Sequence, residues 1–334
     1  MRKAQETNQH ASLSWQRCRA VLLANQRSGS FSKEGDELDA MVTYMKEHGW
    51  DIDLQFSTSP DDARRQTRKA VEQHVDMVIA VGGDGTINSV IQELAGSETA
   101  LGVIPSGTFN VWARETGIPL DSKGALEVLV NGKIRSIDLG RVQDRYFLLM
   151  AGIGFGGTVT YSVKKEKMKW LGMLGYVVTG VRLGLGFDSF SADITIDGRT
   201  QRTHALQIVL GNTQLYGSLL KFTWRARCDD GLLDVCIVRR ASKLERIVVI
   251  LDFVLQRRER RKWVTYATCT SLEVNTRKPV NFQIDGEPIG RTPATFTIVP
   301  GTLRVVVPQQ SPEGLFSNSQ EEGSVPQNAG QVSR

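Results

Sequence analysis

Asp76-Met77-Val78-Ile79-Ala80-Val81 runs directly into Gly82-Gly83-Asp84-Gly85-Thr86. The first six residues form an apolar run of strand length without alternation, as in a strand buried on both faces. Three glycines then break the run, and a helix is expected to start at about Thr86 and to continue over Ile87–Ala95. A strand feeding a glycine turn that feeds a helix exposes backbone N–H groups at the strand's carboxyl end. The positive end of the helix faces the same place, which is where parallel-sheet proteins hold ligands. The stretch reads as a phosphate cradle. Asp84 sits oddly in it, because a carboxylate repels phosphate. It fits if it holds Mg²⁺ through water or accepts a proton. The alternative is a plain strand-to-helix turn with a capping Asp.

The flanking sequence extends the same pattern. Upstream, Arg19–Asn25 reads as a buried strand, followed by a turn at Gln26–Ser30. A helix is expected over Glu37–His48, with Leu38, Met41, Val42 and Met45 on one face and Gly49 as its stop. Asp51–Phe56 alternates as a strand does. Thr58 and Ser59 precede Pro60, a good start for a charged helix over Asp61–His74. Downstream, Ala100–Ile104 is a short strand that ends in Pro105-Ser106-Gly107-Thr108-Phe109-Asn110. That loop lies beside the first if the two strands are neighbours. Otherwise it is an ordinary loop with a helix cap at Thr108. The order β-α-β-α-β-α-β predicts a parallel sheet wrapped by helices.

The second half changes character. Short strands are expected over 134–142, 145–151, 190–197, 203–211, 233–239, 270–275, 280–284 and 302–307. Turn dipeptides Asp197-Gly198, Asp230-Gly231 and Asp285-Gly286 separate or bound them. This predicts an antiparallel β domain, with helical inserts near 161–186 and 242–262. The division expected is a loose terminus over 1–16, an α/β domain over 17–136, a β-sandwich over 137–308 and a disordered polar tail over 309–334.

Composition bounds the function. The chain has 334 residues, 40% hydrophobic and 23% charged, which allows a large core and excludes disorder as a whole-chain reading. The net charge of +5 suits an anionic substrate or a membrane surface, but it is too small and dispersed to argue for nucleic acid. Cys18, Cys228, Cys236 and Cys269 lack paired spacing and read as reduced thiols of a cytoplasmic protein. The scattered histidines make no metal cluster. The polar amino terminus has no signal-peptide core. The longest uncharged run, Tyr146–Val163, is rich in glycine and reads as a strand and turn, so no transmembrane segment is expected. Gly152-Ile153-Gly154-Phe155-Gly156-Gly157 matches a dinucleotide fingerprint, but the acid expected about 20 residues later is missing. No Walker A motif occurs.

The loops Gly82-Gly83-Asp84-Gly85-Thr86-Ile87-Asn88 and Pro105-Ser106-Gly107-Thr108-Phe109-Asn110 resemble the signature of the diacylglycerol kinase catalytic domain, which is shared by bacterial soluble lipid kinases, sphingosine kinases and ceramide kinases. The resemblance extends over roughly residues 17–307. It includes Asn25-Gln26-Arg27-Ser28-Gly29, Ile137-Asp138-Leu139-Gly140, Tyr216-Gly217, Asp230-Gly231-Leu232-Leu233-Asp234-Val235 and Ile284-Asp285-Gly286-Glu287. Each match is short, and their number and order make the set specific.

The resemblance implies an ATP-dependent kinase that phosphorylates a lipid hydroxyl, diacylglycerol or a sphingoid-type alcohol. Nucleotide would lie between an α/β domain and a β-sandwich, with the last strand returning to the first domain. It implies nucleotide contacts at Asn25, Thr58, Gly82, Gly83, Asp84, Gly85, Thr86, Asn88, Ser106, Gly107, Thr108 and Asn110. It places the catalytic group among Asp285, Glu287 and Asp84. It also implies a structural Mg²⁺ at Asp230 and the backbone oxygens of Arg227 and Leu232, a hard-oxygen set. Hairpin-turn roles for Asp230 and Asp285 stay open. The chain departs from the bacterial pattern at Val111, where an Asp usually follows Asn and joins an acidic network with the positions of Asp84 and Asp138.

Peripheral membrane contact is expected at Lys164–Leu171 and Gln256–Trp263, where cations lie beside Trp. Trp170–Leu185 is expected to line a lipid pocket or to form core. A homodimer stands open, as do a kinase of a soluble acceptor in the NAD-kinase-like superfamily and a non-catalytic nucleotide or lipid sensor.

Overall fold

A computed structural model describes residues 17–25, 35–154, 188–216, 220–254 and 263–317. Both expected membrane stretches lie outside the described residues, apart from Trp263.

Strands β1 (Arg19–Asn25), β2 (Asp51–Ser57), β3 (Met77–Gly82) and β4 (Ala100–Pro105) form a parallel sheet in the order β2-β1-β3-β4. β3 and β4 are buried along their whole length, the reason they are continuous apolar runs. Helices α1 (Gly35–Glu47), α2 (Pro60–Glu72) and α3 (Asp84–Leu94) connect them. Ser59 caps α2 by accepting the Asp62 N–H at 3.1 Å, and Pro60 occupies the first turn, where its missing donor costs nothing.

Two helices follow to which the sequence reading assigns no element: α4 (Val111–Thr116) and α5 (Ser122–Asn131). α5 carries a local signal, since Asp121 accepts the Gly124 N–H at 2.8 Å and Ala125, Leu126 and Leu129 turn inward. α4 is a turn and a half long, and its cap comes from a distant loop.

The remaining strands are β5 (Lys133–Val142), β6 (Arg145–Phe147), β7 (Met150–Gly154), β8 (Phe190–Ile196), β9 (Arg199–Gly211), β10 (Leu233–Arg239), β11 (Val264–Cys269), β12 (Ser271–Thr276), β13 (Asn281–Ile284), β14 (Glu287–Arg291) and β15 (Ala294–Val307). Helix α6 (Lys243–Val254) lies between β10 and β11. Apart from one parallel register these strands pair antiparallel, and they enclose a second core around Ile153, Ile208, Val235, Leu272, Phe282 and Phe296. The exception is β15, which pairs parallel with β4 at Val305↔Leu101 and antiparallel with β5 and β12. One strand therefore belongs to both halves, and β5 runs through residues 136–137 without a break.

Two expectations change. The single strand 145–151 is split into β6 and β7, because the Leu148 and Leu149 N–H groups point to a carboxylate instead of a ladder. The chain after Gln309 is ordered through Ser317: Leu315 and Phe316 are buried, and the Cys228 N–H bonds the Leu315 carbonyl. An apolar pair inside a polar tail is enough to anchor that segment.

Candidate active site

The two glycine loops touch. A Cβ on Gly107 would stand 2.5 Å from the Gly83 Cα, so neither loop tolerates a side chain at this contact. Asn110 holds the second loop in place: its Oδ1 accepts the Gly107 N–H at 2.9 Å and its Nδ2 donates to the Gly107 carbonyl at 2.8 Å. Asn110 takes a left-handed conformation to do so, φ 47°. With that side chain committed, α4 needs another cap. Asp84 supplies it, its Oδ1 accepting the Val111 N–H at 2.8 Å. Asp84 is therefore a capping Asp, but for α4 and not for its own helix.

α3 begins at Asp84, two residues before the expected start, with Gly83 at its cap and no side-chain bond there. Its open amino end and the Ser59-capped amino end of α2 border one cavity of about 610 Å³. Asn25, Thr58, Gly83, Gly85 and Thr86 line one part; Ser106, Gly107 and Thr108 line another. Thr86 is oriented by Asn25, whose Nδ2 donates to its Oγ1 at 3.1 Å. A Cβ on Gly85 would meet nothing within 4 Å, so hydrogen at that position leaves the cradle open. Gly82, Asp84, Asn88 and Asn110 do not line the cavity. Gly82 lies under Thr86, whose Oγ1 a Cβ would meet at 2.3 Å. The sequence reading missed Ser57, Ser59 and Ser89, which also line the wall.

Asp285-Gly286 forms a two-residue hairpin between β13 and β14, with φ of 46° and 81°, the left-handed pair that Asp-Gly favours. This turn sends its two acids to different places. Glu287 lines the cavity. Asp285 points inward, where its Oδ1 accepts the Leu149 and Met150 N–H groups, both at 2.9 Å. Its Oδ2 accepts the Leu148 N–H at 2.8 Å and Asn88 Nδ2 at 3.0 Å. Burial pushes its carboxyl up to about 6, against the pull of these donors. Asn88 thus joins α3 to the hairpin. Its Oδ1 accepts Arg145 Nη2 at 3.2 Å, and Arg145 also pairs with Glu287 at 3.5 Å. Arg145 carries no local motif, and only the β5–β6 turn brings it here.

Asp230, Arg227 and Leu232 lie together before β10, away from the cavity lining. The Asp230 Oδ1 accepts the Leu232 N–H at 3.0 Å. Burial, then the charges of Asp138 and Asp229, hold the Asp230 carboxyl above its ordinary range, opposed by the Leu232 N–H and Arg227. The neighbouring acids are already engaged: Asp138 accepts the Gly231 and Gly301 N–H groups, both at 2.7 Å, and Asp229 pairs with Arg135 at 3.5 Å. Among the described residues no three His, Cys, Asp or Glu side chains converge as a metal cage. The set expected here uses one carboxylate and two carbonyls.

A further buried acid escaped the sequence reading. Glu115, one turn after Val111 in α4, accepts the N–H groups of Leu215 and Gln214, with Lys221 the nearby cation. It ties the helix that Asp84 caps to the loop following β9.

The arrangement of loops, helix ends and hairpin matches known sequences over most of its length. The model described as "Diacylglycerol kinase catalytic domain" matches residues 19–142, and "YegS C-terminal NAD kinase beta sandwich-like domain" matches 151–307. A diacylglycerol kinase of Bacillus subtilis (strain 168) is 30% identical over 89% of this chain and 99% of its own. The chain belongs to the diacylglycerol kinase catalytic-domain family. Another relative, "Probable lipid kinase YegS-like" of Pseudomonas syringae pv. tomato, is 30% identical over 88% of this chain and 95% of its own. A crystal structure of a diacylglycerol kinase from Bacillus anthracis superposes with a TM-score of 0.66 over 86% of this chain and 96% of that one, at 20% identity, which speaks for the fold. Both halves of the diacylglycerol kinase fold, the α/β domain and the antiparallel β-sandwich, are present. Family membership makes the chain a lipid kinase by class.

Proposed function

We propose that the protein transfers the γ-phosphoryl group of ATP to a lipid hydroxyl, diacylglycerol or a sphingoid-type alcohol. One observation carries the reading: the open amino end of α3, the paired glycine loops and the Glu287 carboxylate all border one cavity. Phosphoryl transfer needs positioning and charge neutralisation more than covalent chemistry. Backbone N–H groups of the loops and the hydroxyls of Thr86, Ser106 and Thr108 would receive phosphate oxygens, whereas the Thr58 hydroxyl and N–H both donate to Asp62 Oδ2 at 3.0 Å. No Lys or Arg lines the cavity among the described residues, while a carboxylate does. Such a wall fits Mg²⁺ arriving with the nucleotide, with Glu287 as the acid on hand; the Asp84 carboxylate lies behind the lining and caps α4. Bound there, Mg²⁺ would offset the triphosphate charge.

In this scheme Glu287 accepts the hydroxyl proton as the acceptor oxygen bonds to phosphorus and the bond to the ADP oxygen breaks. Asp285 already receives four donors, which fill its acceptor sites, so it positions the hairpin and Arg145 orients Glu287. Asp230, with the Arg227 and Leu232 carbonyls, would hold a second Mg²⁺ that braces the β10 turn.

The test is an assay with radiolabelled ATP, Mg²⁺ and a panel of lipids in mixed micelles, run with wild type and Glu287→Gln. Label in one lipid, lost in the variant, is expected. ATP binding without label in any lipid would move the reading to a soluble acceptor or a sensor.

A further inference from the structure

Gln92 lies on α3, two turns beyond the glycine cradle, and belongs to none of the motifs in the sequence. Its side-chain amide is fully engaged. Oε1 accepts the Tyr146 N–H at 3.0 Å, and Nε2 donates to the Tyr146 and Asn88 carbonyls, both at 2.9 Å. A primary amide has two N–H donors, and here each has an acceptor, so the side chain is held in one orientation.

These bonds serve a strand that lacks a neighbour. Among the described strands β6 pairs with β5 alone. Its outer side would show an open N–H and C=O at Tyr146, as any sheet edge does. Gln92 meets both groups, as the backbone of an adjacent strand would, so α3 stands in for the missing partner.

Asn88 and Gln92 are four positions apart and share one face of α3. They grip β6 at adjacent residues. Gln92 fixes the backbone of Tyr146, while Asn88 Oδ1 accepts Nη2 of Arg145 at 3.2 Å. Arg145 in turn reaches Glu287 at 3.5 Å. Both Arg145 contacts are near the long end for a polar contact, so a slip of β6 by about 1 Å removes them. β6 is three residues long and has little of its own to resist such a slip. α3 thereby spans the chemistry: its amino end borders the cavity, and its later turns hold the strand that carries Arg145.

We propose that Gln92 is a positioning residue for phosphoryl transfer, which clamps β6 to α3 and so sets where Arg145 holds Glu287. The proposal rests on the kinase reading for its reaction, and the clamp itself is measurable without turnover.

The experiment is a double-mutant cycle of Gln92→Met and Arg145→Met in the full chain. It is followed by initial rates with radiolabelled ATP and lipid micelles, and by thermal melts. Gln92→Met should lower kcat about 10- to 100-fold through misplacement alone. The KM for ATP should stay within about twofold, since the cradle is untouched. The double variant should be no slower than Arg145→Met, and its melting temperature should fall by less than the sum of the single falls. Rate losses that multiply, additive melting temperatures, or a Gln92→Met protein that works at the wild-type rate overturn the proposal. If Gln92→Met does not fold, amide hydrogen exchange of the wild type decides. The Tyr146 N–H is expected to be protected, and exchange as fast as at an open strand edge removes the clamp. Coupled melting temperatures without label in any lipid would leave the clamp standing while the kinase reading falls.

Discussion

Asp285 and Glu287 stand two positions apart on one hairpin and meet opposite surroundings. Asp285 is enclosed by four donors, whereas Glu287 faces the cavity with Arg145 beside it. Glu287→Gln should lower kcat about 10²- to 10⁴-fold and leave the melting temperature unchanged. Asp285→Asn should lower stability as well, by about 3 kcal/mol, because it turns an acceptor into a donor facing backbone N–H groups. Chemical denaturation beside initial rates separates the two. If both variants lose only rate, the division of roles is wrong. Glu115 gives a pH signature. Burial raises its carboxyl above the usual range, so the folded state keeps its proton where the unfolded state has lost it. Its contribution to stability is present below the unfolded pKa and is lost as pH rises through the folded one. Glu115→Gln, which keeps an acceptor for the Leu215 N–H, should therefore gain melting temperature on wild type at pH 8 relative to pH 5. An equal difference at both pH values would mean that Glu115 is not held protonated by burial.

At the scale of elements, the site is two loops and the helices they start. The sequence shows the loops plainly, because Gly-Gly-Asp-Gly and Ser-Gly-Thr are local patterns that break apolar strands. Their contact is not local: it follows from β3 and β4 being neighbours in register, Gly82↔Pro105. The two kinds of glycine should respond differently. Gly85→Ala puts a methyl group into open cradle, so the protein should fold normally while the KM for ATP rises about tenfold, near 1.4 kcal/mol. Gly107→Ala drives the methyl group into the Gly83 backbone and should cost about 1–3 kcal/mol of stability before any effect on ATP. Thermal melts and ATP titrations of the two variants give the comparison; matching profiles would show that the loops do not touch. α4 illustrates what short-range reading misses. Six residues with a left-handed cap residue have little helical signal, and Asp84, 27 positions upstream, supplies the missing acceptor.

For the whole molecule, β15 is the joint. It closes the parallel sheet against β4 and pairs with β5 along most of its length, so neither half owns a complete sheet. A fragment of residues 17–142 should not fold as a monomer, since β4 and β5 would present unpaired edges. Co-expression with residues 143–317 should restore it. A dispersed amide spectrum from the fragment alone would show that the joint is dispensable. The sequence by itself determined the order of the elements, the α/β-then-β change of character and most residues that border the cavity, because hydrophobic period, turn dipeptides and helix starts act over a few residues. It also held the Asp-Gly hairpin, whose left-handed pair is a local preference. Only the tertiary structure decided which acid faces the cavity, that Asp84 caps α4, and that Arg145, Asn88 and Glu115 link distant segments. Those outcomes depend on pairings made across up to about two hundred residues of chain, where a buried carboxylate takes whichever donors the packed sheet brings to it.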